Sequence, residues 1–384
     1  MWRHLASNAL TMFVVLLFLG GGVILWGMGQ YQAEGPLARA ICLKVAPGSS
    51  MTRVATQLED QNAISSRAIF RMAADYTDRT TQLKAGSFLL DEGATMAEIL
   101  EAVTASGQST CGTEVVYRLG VNRLSVQVRE VDPALDRFVE RATFTPAEDA
   151  VPAVYEAAKD GSDTRYRIAV AEGVTSWQIV TALRDIDVLT GAVEDVPPEG
   201  SLAPDSYEVV SGDSRQALVD RMRAAQSARL AAAWENRVEG LPYDTPEEAL
   251  IMASIIEKET GQADERRQVS SVFVNRLERG MRLQTDPTVI YGITRGQGVL
   301  GRGLRQSELR RETPWNTYVI SGLPPTPIAN PGLASIEAAL DPDETPYIFF
   351  VADGTGGHAF AETLAEHNRN VAVWRQIEAE RANQ

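Results

Sequence analysis

The hydrophobic positions of this chain form one long uninterrupted block, followed by many short periodic ones. Residues 9–29, ALTMFVVLLFLGGGVILWGMG, contain no charged side chain, and about 20 apolar residues in a helix span the roughly 30 Å hydrocarbon layer of a membrane. Because Arg3 precedes the block and the next basic residue is Arg39, we expect a transmembrane helix at 9–29 with residues 1–8 in the cytoplasm. A cleaved signal peptide is the alternative, but the block exceeds the usual apolar region of such a peptide.

A second pattern occurs three times, in residues 45–58, 89–103 and 169–183. In each copy a glycine is followed two residues later by Ser or Thr, and apolar residues follow four and eight positions further on. The three pairs are Gly48 with Ser50, Gly93 with Thr95, and Gly173 with Thr175. The pattern predicts a strand, a glycine turn, a hydroxyl N-cap and an amphipathic helix. An internal repeat is one explanation, and convergence of any strand-to-helix junction on this chemistry is the other.

Residues 41–106 therefore read as a small α+β module. Between its two copies of the pattern, AISSRAIFRMAADY (63–76) predicts a helix and LKAGSFLL (83–90) predicts a strand. The module resembles a LysM-like domain, a type that binds N-acetylated glycans.

Residues 107–164 are predicted to be an insertion or linker of unknown role. Residues 113–131 alternate like a hairpin, whereas the acidic residues 146–163 read as a loop. A last and larger unit is expected over residues 165–384.

The composition limits the choice of partners. A chain of 384 residues with 51 acidic and 36 basic side chains has a formal charge of -15, which argues against nucleic acid as the main partner. Cys42 and Cys111 are the two cysteines, and they either pair or remain free buried thiols. With so few Cys and His residues, no zinc site of familiar spacing is expected.

The stretch DTPEEALIMASIIEKETG (244–261) predicts a helix of about four turns. Thr245 is the expected N-cap, Pro246 the first helical residue, and Glu248 completes a capping box. Gly261 is the expected C-terminal stop.

The end of this helix carries two glutamates on different faces. At 100° per residue, Glu259 lies within the apolar stripe, and Glu257 lies on the opposite face with Ala253 and Ser254. The stripe consists of Ile251, Met252, Ile255 and Ile256. A carboxyl on a buried face has a raised pKa, as a general acid near neutral pH requires. The alternative is a solvated glutamate in the last turn; Glu257 is expected either in solvent or capping another contact.

Further along, polar and aromatic side chains gather in expected loops. After a helix stopped by Gly280, Gln284, Thr285 and Asp286 offer amide, hydroxyl and carboxylate groups, with a turn expected at Asp286 and Pro287. Trp315, Asn316 and Tyr318 precede a proline-rich, stiff loop. Aromatic surface combined with amides suits a sugar site, although a single aromatic residue in a loop is more often a core side chain.

Five segments in order, ASIIEKET, RLQTDPTVIYG, ETPWNTY, GLPPTPIANPG and FVADGTGGHAF, closely resemble the endolytic murein transglycosylase family, the YceG-like proteins. The resemblance covers about residues 165–384 and implies an α+β fold in which a transmembrane helix and a LysM-like module precede a larger catalytic domain. It places the catalytic glutamate at Glu259. The candidate substrate-binding residues are Gln284, Thr285, Asp286, Trp315, Asn316, Tyr318, Glu257 and His358. No metal or cofactor is implied.

The activity implied by the resemblance is lytic cleavage within peptidoglycan glycan strands, giving 1,6-anhydro muramoyl ends and terminating nascent strands. The implied location is the bacterial inner membrane, crossed once, with the catalytic domain in the periplasm and peptidoglycan synthases as partners. A lysozyme-like hydrolase that uses Asp286 or Glu312 as second carboxyl is an alternative. A non-catalytic glycan-binding scaffold is another. His358 and His367 either line the cleft and orient Glu259 or bind buried backbone carbonyls.

Overall fold

A computed structural model describes residues 2–105, 110–135, 137–161 and 164–382. Its α-helices are α1 Trp2–Gln32, α2 Met51–Asp60, α3 Arg67–Tyr76, α4 Met96–Thr104, α5 Ala153–Asp160, α6 Ser176–Arg184, α7 Arg215–Glu235, α8 Pro246–Glu259, α9 Arg266–Glu278, α10 Asp286–Thr294, α11 Gln306–Leu309, α12 Leu333–Leu340 and α13 Leu364–Ala382. The strands are β1 Ile41–Val45, β2 Gly86–Leu90, β3 Thr113–Leu119, β4 Leu124–Asp132, β5 Arg137–Phe144, β6 Arg165–Val170, β7 Ser206–Val209, β8 Phe349–Ala352 and β9 His358–Ala361. The expected mixed α+β class is confirmed.

The chain divides into two compact units. The first comprises Met1–Val115, Gln127–Thr143 and Ala150–Arg165, and the second comprises Val116–Val126, Phe144–Asp149 and Tyr166–Gln384. The expected boundaries at 106/107 and 164/165 stay predictions. Parts of those expectations fall on residues that lie outside the described ones, namely 106–109, 136, 162, 163, 383 and 384.

The apolar block forms a helix, as expected. Within α1, Thr11–Gln32 is a 22-residue stretch of mean hydropathy 2.2 near the N-terminus, and its most apolar part is not buried. Its length and composition suit both a membrane span and a signal sequence.

The first unit contains a two-stranded antiparallel sheet covered by helices. β1 pairs with β2 so that Cys42 lies opposite Leu89. The side chains that form the core come from the sheet and from α2, α3 and α4, among them Leu43, Leu58, Phe70, Phe88, Ile99 and Leu100. Cys42 and Cys111 form a disulfide across 69 residues with a Cα–Cα distance of 5.8 Å, which decides between the two expected states. The LysM-like assignment of this module stays a prediction.

The segment after this module contains more regular structure than the sequence suggested. β3 and β4 are adjacent strands joined by a four-residue connection, as expected for residues 113–131. They belong to a five-stranded sheet of order β5-β4-β3-β6-β7. The loop expected over 146–163 is wrong for α5, which forms because Tyr155 and Ala158 are buried on one face of a helical turn.

The three glycine and hydroxyl junctions are confirmed. Gly48, Gly93 and Gly173 have φ of +74°, +69° and +75°, a left-handed conformation that glycine adopts without steric cost. The side chains of Ser50, Thr95 and Thr175 accept hydrogen bonds from the third residue of α2, α4 and α6, respectively.

The core of the second unit is built around α8. Thr245 caps α8 with the expected capping box to Glu248, and Pro246 opens the helix. α8 packs against α7, α9, α10 and α12. β8 and β9 form a separate antiparallel pair in which Ala352 lies opposite His358.

Candidate active site

The helix that carries the two glutamates is buried nearly all round. Ala253 and Ser254, expected on a face away from the core, are both 0% exposed. The Ser254 hydroxyl donates to the Ile251 carbonyl at 2.7 Å and accepts the Ile328 N–H at 3.0 Å. The expectation of one apolar stripe is therefore wrong, because helices pack on several sides of α8. Burial alone does not distinguish Glu257 from Glu259.

Glu259, the last residue of α8, is half-buried, and its carboxylate accepts a hydrogen bond from the Thr285 hydroxyl. Burial raises the pKa of Glu259, and the charge of Asp286 raises it further. The bond from Thr285 and the positive charges of His358 and Arg276 act in the opposite direction. Because desolvation is the largest effect, this carboxyl holds its proton more tightly than a glutamate in water does.

A network of threonines fixes the hydroxyl that Glu259 meets. The backbone N–H of Thr285 donates to the Thr317 hydroxyl at 3.0 Å, and the Thr288 hydroxyl donates to the Thr285 carbonyl at 2.7 Å. Thr285, Thr288 and Thr317 are all buried. The backbone of Thr285 is thus held by the hydroxyls of Thr317 and Thr288, which preorganises the bond from Thr285 to Glu259.

The turn expected at Asp286 and Pro287 is instead the start of α10. Asp286 is its first residue and Pro287 its second, where a missing N–H costs nothing and the fixed φ suits a helix. An aspartate in the first turn also interacts favourably with the helix dipole.

Two predicted binding residues, Asp286 and Tyr318, lie close to this carboxyl, and a third, Gln284, directly precedes Thr285. Asp286 is exposed, and it accepts a hydrogen bond from the Tyr318 hydroxyl at 2.7 Å. Burial and the bond to Asp286 raise the pKa of Tyr318. Gln284 is exposed and has a left-handed φ of +50°, and its N–H donates to the Thr317 carbonyl at 3.2 Å.

Glu257 points elsewhere. Its carboxylate accepts the Gly332 N–H at 3.0 Å and the Ser335 hydroxyl at 2.8 Å. These groups belong to the N-terminus of α12, for which Gly332 is the N-cap, so Glu257 attaches α8 to α12, the second of the two expected environments. Burial raises the pKa of Glu257. Lys258, between the glutamates, donates to the Gly173 carbonyl at 3.3 Å.

Asn316 and Trp315 hold the loop before the prolines. Asn316 is 0% exposed. Its amide N–H groups are directed at the carbonyls of Glu308, Leu309 and Arg311, and its oxygen accepts the Tyr318 N–H at 3.0 Å. Trp315 donates from its indole N–H to the Thr326 hydroxyl at 3.0 Å. Asn316 therefore shapes the site from inside and has no surface to offer a substrate.

The two histidines differ in environment. His358 Nδ1 lies 2.8 Å from a Glu265 carboxylate oxygen, and its backbone N–H donates to the other oxygen at 2.8 Å. The alternative of a bond to a backbone carbonyl is thus not what holds His358. His367 stacks on Phe349 with ring centroids 5.0 Å apart, and burial lowers its pKa.

Two charged residues near Glu259 have no signal in the sequence. Arg276, in α9, is 7% exposed, and its guanidinium donates to the carbonyls of Ile348 and Leu283. Glu265, which precedes α9, is bonded to His358. Both lie in a strongly charged stretch that reads as a solvated helix surface, so only the fold identifies them.

No group of three His, Cys, Asp or Glu side chains within the described residues is arranged to hold a metal ion. The polar groups beside Glu259 are hydroxyls, a carboxylate and a tyrosine. This set can donate, accept and transfer protons, and it can bind hydroxyl-rich ligands.

Residues 43–136 and 141–373 match the YceG-like family. The chain belongs to this family. Among its YceG-like relatives is a protein of Bacillus subtilis named endolytic murein transglycosylase, which is 27% identical over 91% of this chain and 89% of its own length. A Streptococcus pneumoniae protein with the same name is 27% identical over 96% of this chain and 65% of its own length. A solved structure of a putative yceG-like protein from Listeria monocytogenes aligns with 86% of this chain and 99% of that one, with 25% identity and a TM-score of 0.46.

Proposed function

We propose that this YceG-like protein is a lytic transglycosylase that cuts peptidoglycan glycan strands internally, with Glu259 as its acid and base. The observation that carries the proposal is the half-buried carboxyl at the end of α8, which accepts a hydrogen bond from the Thr285 hydroxyl and has exposed polar groups beside it; burial raises its pKa. The relatives named endolytic murein transglycosylase support the same reaction.

The reaction needs only one carboxyl. Protonated Glu259 donates its proton to the glycosidic oxygen between the muramoyl and glucosaminyl sugars, and the C1–O bond breaks. The resulting carboxylate accepts the proton of the muramoyl C6 hydroxyl as that oxygen bonds to C1. The products are a 1,6-anhydro muramoyl end and a free sugar hydroxyl, Glu259 is again protonated, and no water is consumed.

The residues around Glu259 have separate roles in this proposal. Thr285 stabilises the carboxylate that forms after the first proton transfer, because it already donates a hydrogen bond to that group. Asp286, Gln284 and Tyr318 offer groups for sugar hydroxyls and N-acetyl groups, and His358 borders the site. Glu257, Asn316 and Trp315 position the segments that form it.

A lysozyme-like hydrolase is the second candidate, since Asp286 lies close enough to Glu259 to influence its pKa. Hydrolysis normally requires two carboxyls about 5–9.5 Å apart. The product distinguishes the two reactions, because a hydrolysed end is heavier than an anhydro end by one water.

We also propose a location for the enzyme at the membrane. α1 anchors the chain in the bacterial inner membrane by a single pass, and the catalytic unit lies in the periplasm, where cleavage terminates nascent glycan strands beside peptidoglycan synthases. The span Thr11–Gln32 has the length and hydropathy that this requires.

The test is mass analysis of sugars released from purified sacculi by the full-length protein in detergent. Wild type is expected to give anhydro ends, and Glu259→Gln is expected to lower the rate by about 10²–10⁴-fold, the usual contribution of a general acid or base. Glu247→Gln, the same change at the exposed first turn of α8, is the matched control and is expected to retain the rate. Sugar ends heavier by one water than the anhydro form would identify a hydrolase. If wild type released no sugars, a non-catalytic glycan-binding scaffold would be favoured.

A further inference from the structure

The segment after α10 has a charge opposite to that of the chain. Residues 295–312, RGQGVLGRGLRQSELRRE, contain five arginines and two glutamates, a net charge of +3 in a protein of -15. All five arginines are exposed. Such a local excess of positive charge attracts anions despite the net negative charge. We refer to residues 295–312 as the arginine segment.

Part of this charge is used to fix the segment itself. The Arg302 guanidinium donates two hydrogen bonds to the Glu308 carboxylate, of 2.9 and 2.6 Å, and the backbone N–H of Arg305 donates to it at 2.7 Å. The hydrogen bonds from the Arg302 side chain, and to a smaller extent the bond from the Arg305 N–H, lower the pKa of Glu308 to about 2. Glu308 therefore stays ionised and closes the segment into a defined loop.

The remaining arginines are available. The side chains of Arg310 and Arg311 make no hydrogen bond or ion pair with any described residue. Arg295 lies over the Trp315 ring at 3.8 Å, which orients its guanidinium through a cation–π contact. Three guanidinium groups thus face solvent on one short segment.

The first part of the segment, residues 296–302, borders a cavity of about 320 Å³, at the lower end of the range for ligand pockets, roughly 300–1,000 Å³. Its walls include Ile290, Val299, Leu300 and the Lys258 side chain. The neighbouring carboxylate of Glu199 is occupied by the Ser176 N–H at 2.8 Å and by Asn330. The cavity therefore combines apolar surface with Lys258, whose ammonium group also donates to the Gly173 carbonyl.

α10 connects this region with Glu259. The helix begins at Asp286, beside Glu259, and ends at Thr294, next to the arginine segment. Nine residues rise about 13 Å. A peptide of about four residues reaches at most roughly 14 Å when extended. A short peptide attached to the sugar at Glu259 therefore spans the distance to the start of the arginine segment at Arg295. The far end of the segment is tied to the same region, because the Arg311 carbonyl accepts a hydrogen bond from Asn316, which in turn accepts the N–H of Tyr318.

We propose that the arginine segment and the cavity that it borders bind the acidic peptide attached to the muramoyl sugar, so that the enzyme prefers peptide-bearing strands to strands stripped of peptide. This inference rests on the proposed function. Peptidoglycan peptides carry free carboxylates, which suit Arg310 and Arg311, and alkyl groups, which suit Val299 and Leu300.

The test compares two substrates in one assay. Full-length protein in neutral detergent is given uncross-linked glycan strands with their peptides, or the same strands after amidase treatment, and the rates of anhydro-end formation are expressed as a ratio. We expect a wild-type ratio above one. Replacing Arg310 and Arg311 by Gln is expected to lower it by roughly two- to twenty-five-fold, the range for two exposed charge contacts. Raising the salt from roughly 0.05 to 0.5 M is expected to lower the wild-type ratio too.

The matched control replaces Arg369 and Arg375 by Gln, two exposed arginines of α13, and is expected to keep the wild-type ratio. Because the ratio is internal, a partly unfolded preparation does not change it. A wild-type ratio of one, or a ratio that the Arg310 and Arg311 changes leave intact, would overturn the inference while anhydro ends still uphold the proposed function. An effect of these changes confined to assays with anionic phospholipid would make the segment a lipid site and overturn the inference as well. Absence of anhydro ends from both substrates would instead refute the proposed function.

Discussion

Replacing Thr285 by Val removes the hydrogen bond that this hydroxyl donates to Glu259 while keeping the shape of a side chain that is 3% exposed. The bond stabilises the charged carboxylate, so its loss raises the pKa of Glu259 further. A hydrogen bond to a charged group contributes about 1.5–3 kcal/mol, and one pKa unit corresponds to about 1.36 kcal/mol. The expected rise is therefore about one to two pKa units.

The assay is the pH dependence of kcat/KM for anhydro-end formation. Since the acid must be protonated to act, activity falls as pH rises through the pKa of Glu259, and this alkaline limb should move upward by about one to two units in Thr285→Val. Thr104→Val removes a buried hydroxyl of the first unit, where it donates to the Leu100 carbonyl and not to Glu259, and its limb should stay near that of wild type. A limb that does not move, or moves to lower pH, in folded Thr285→Val would refute the assignment of Glu259 as the acid.

Three further predictions concern stability. Because the pKa of Glu259 is raised, the folded state binds this proton more tightly than the unfolded state does. The free energy of unfolding of wild type should therefore fall as pH rises from 4.5 through the raised pKa. In denaturant titrations at several pH values, Glu259→Gln should not show this fall. Glu257→Ala leaves two donors at the start of α12 without their acceptor, which costs about 1–3 kcal/mol. The Tm of the second unit should fall by roughly 2–12 °C in calorimetry. An unchanged Tm would contradict the role of Glu257 in attaching α8 to α12. Reduction of the Cys42–Cys111 bond, which spans 69 residues, should destabilise the first unit by ~4 kcal/mol, because the unfolded chain regains conformational entropy. The measurement is a lower Tm in dithiothreitol. A protein with Cys42→Ser and Cys111→Ser should show the same Tm without reductant.

The elements that the sequence predicts well are those determined by neighbouring residues. The start of α8 depends on Thr245, Pro246 and Glu248, and all three lie within one turn. The junctions at Gly93 and Gly173 likewise need a left-handed glycine and a hydroxyl two residues later. Such signals are local in the chain, so they remain visible without knowledge of the fold.

The elements that the sequence predicts poorly depend on distant partners. Ser254 is polar, and only the Ile328 N–H from the proline-rich loop explains its burial. Arg276 has the same appearance in the sequence as Arg279, yet it is buried beside Glu259 while Arg279 is exposed. The pair Asp286 and Pro287 suits both a turn and a helix start, and tertiary packing decides between them.

The last turn of α8 has a practical consequence for inhibitor design. Successive residues in a helix are rotated by 100°, so Glu257, Lys258 and Glu259 leave the axis in three directions and reach α12, Gly173 and Thr285. A shift of the last turn that moves the Glu259 carboxyl would therefore also break the contacts of Glu257 and Lys258. A compound shaped to this carboxyl would meet a preorganised target, and a substitution that shifts the helix to escape the compound would disrupt the same contacts that stabilise the unit.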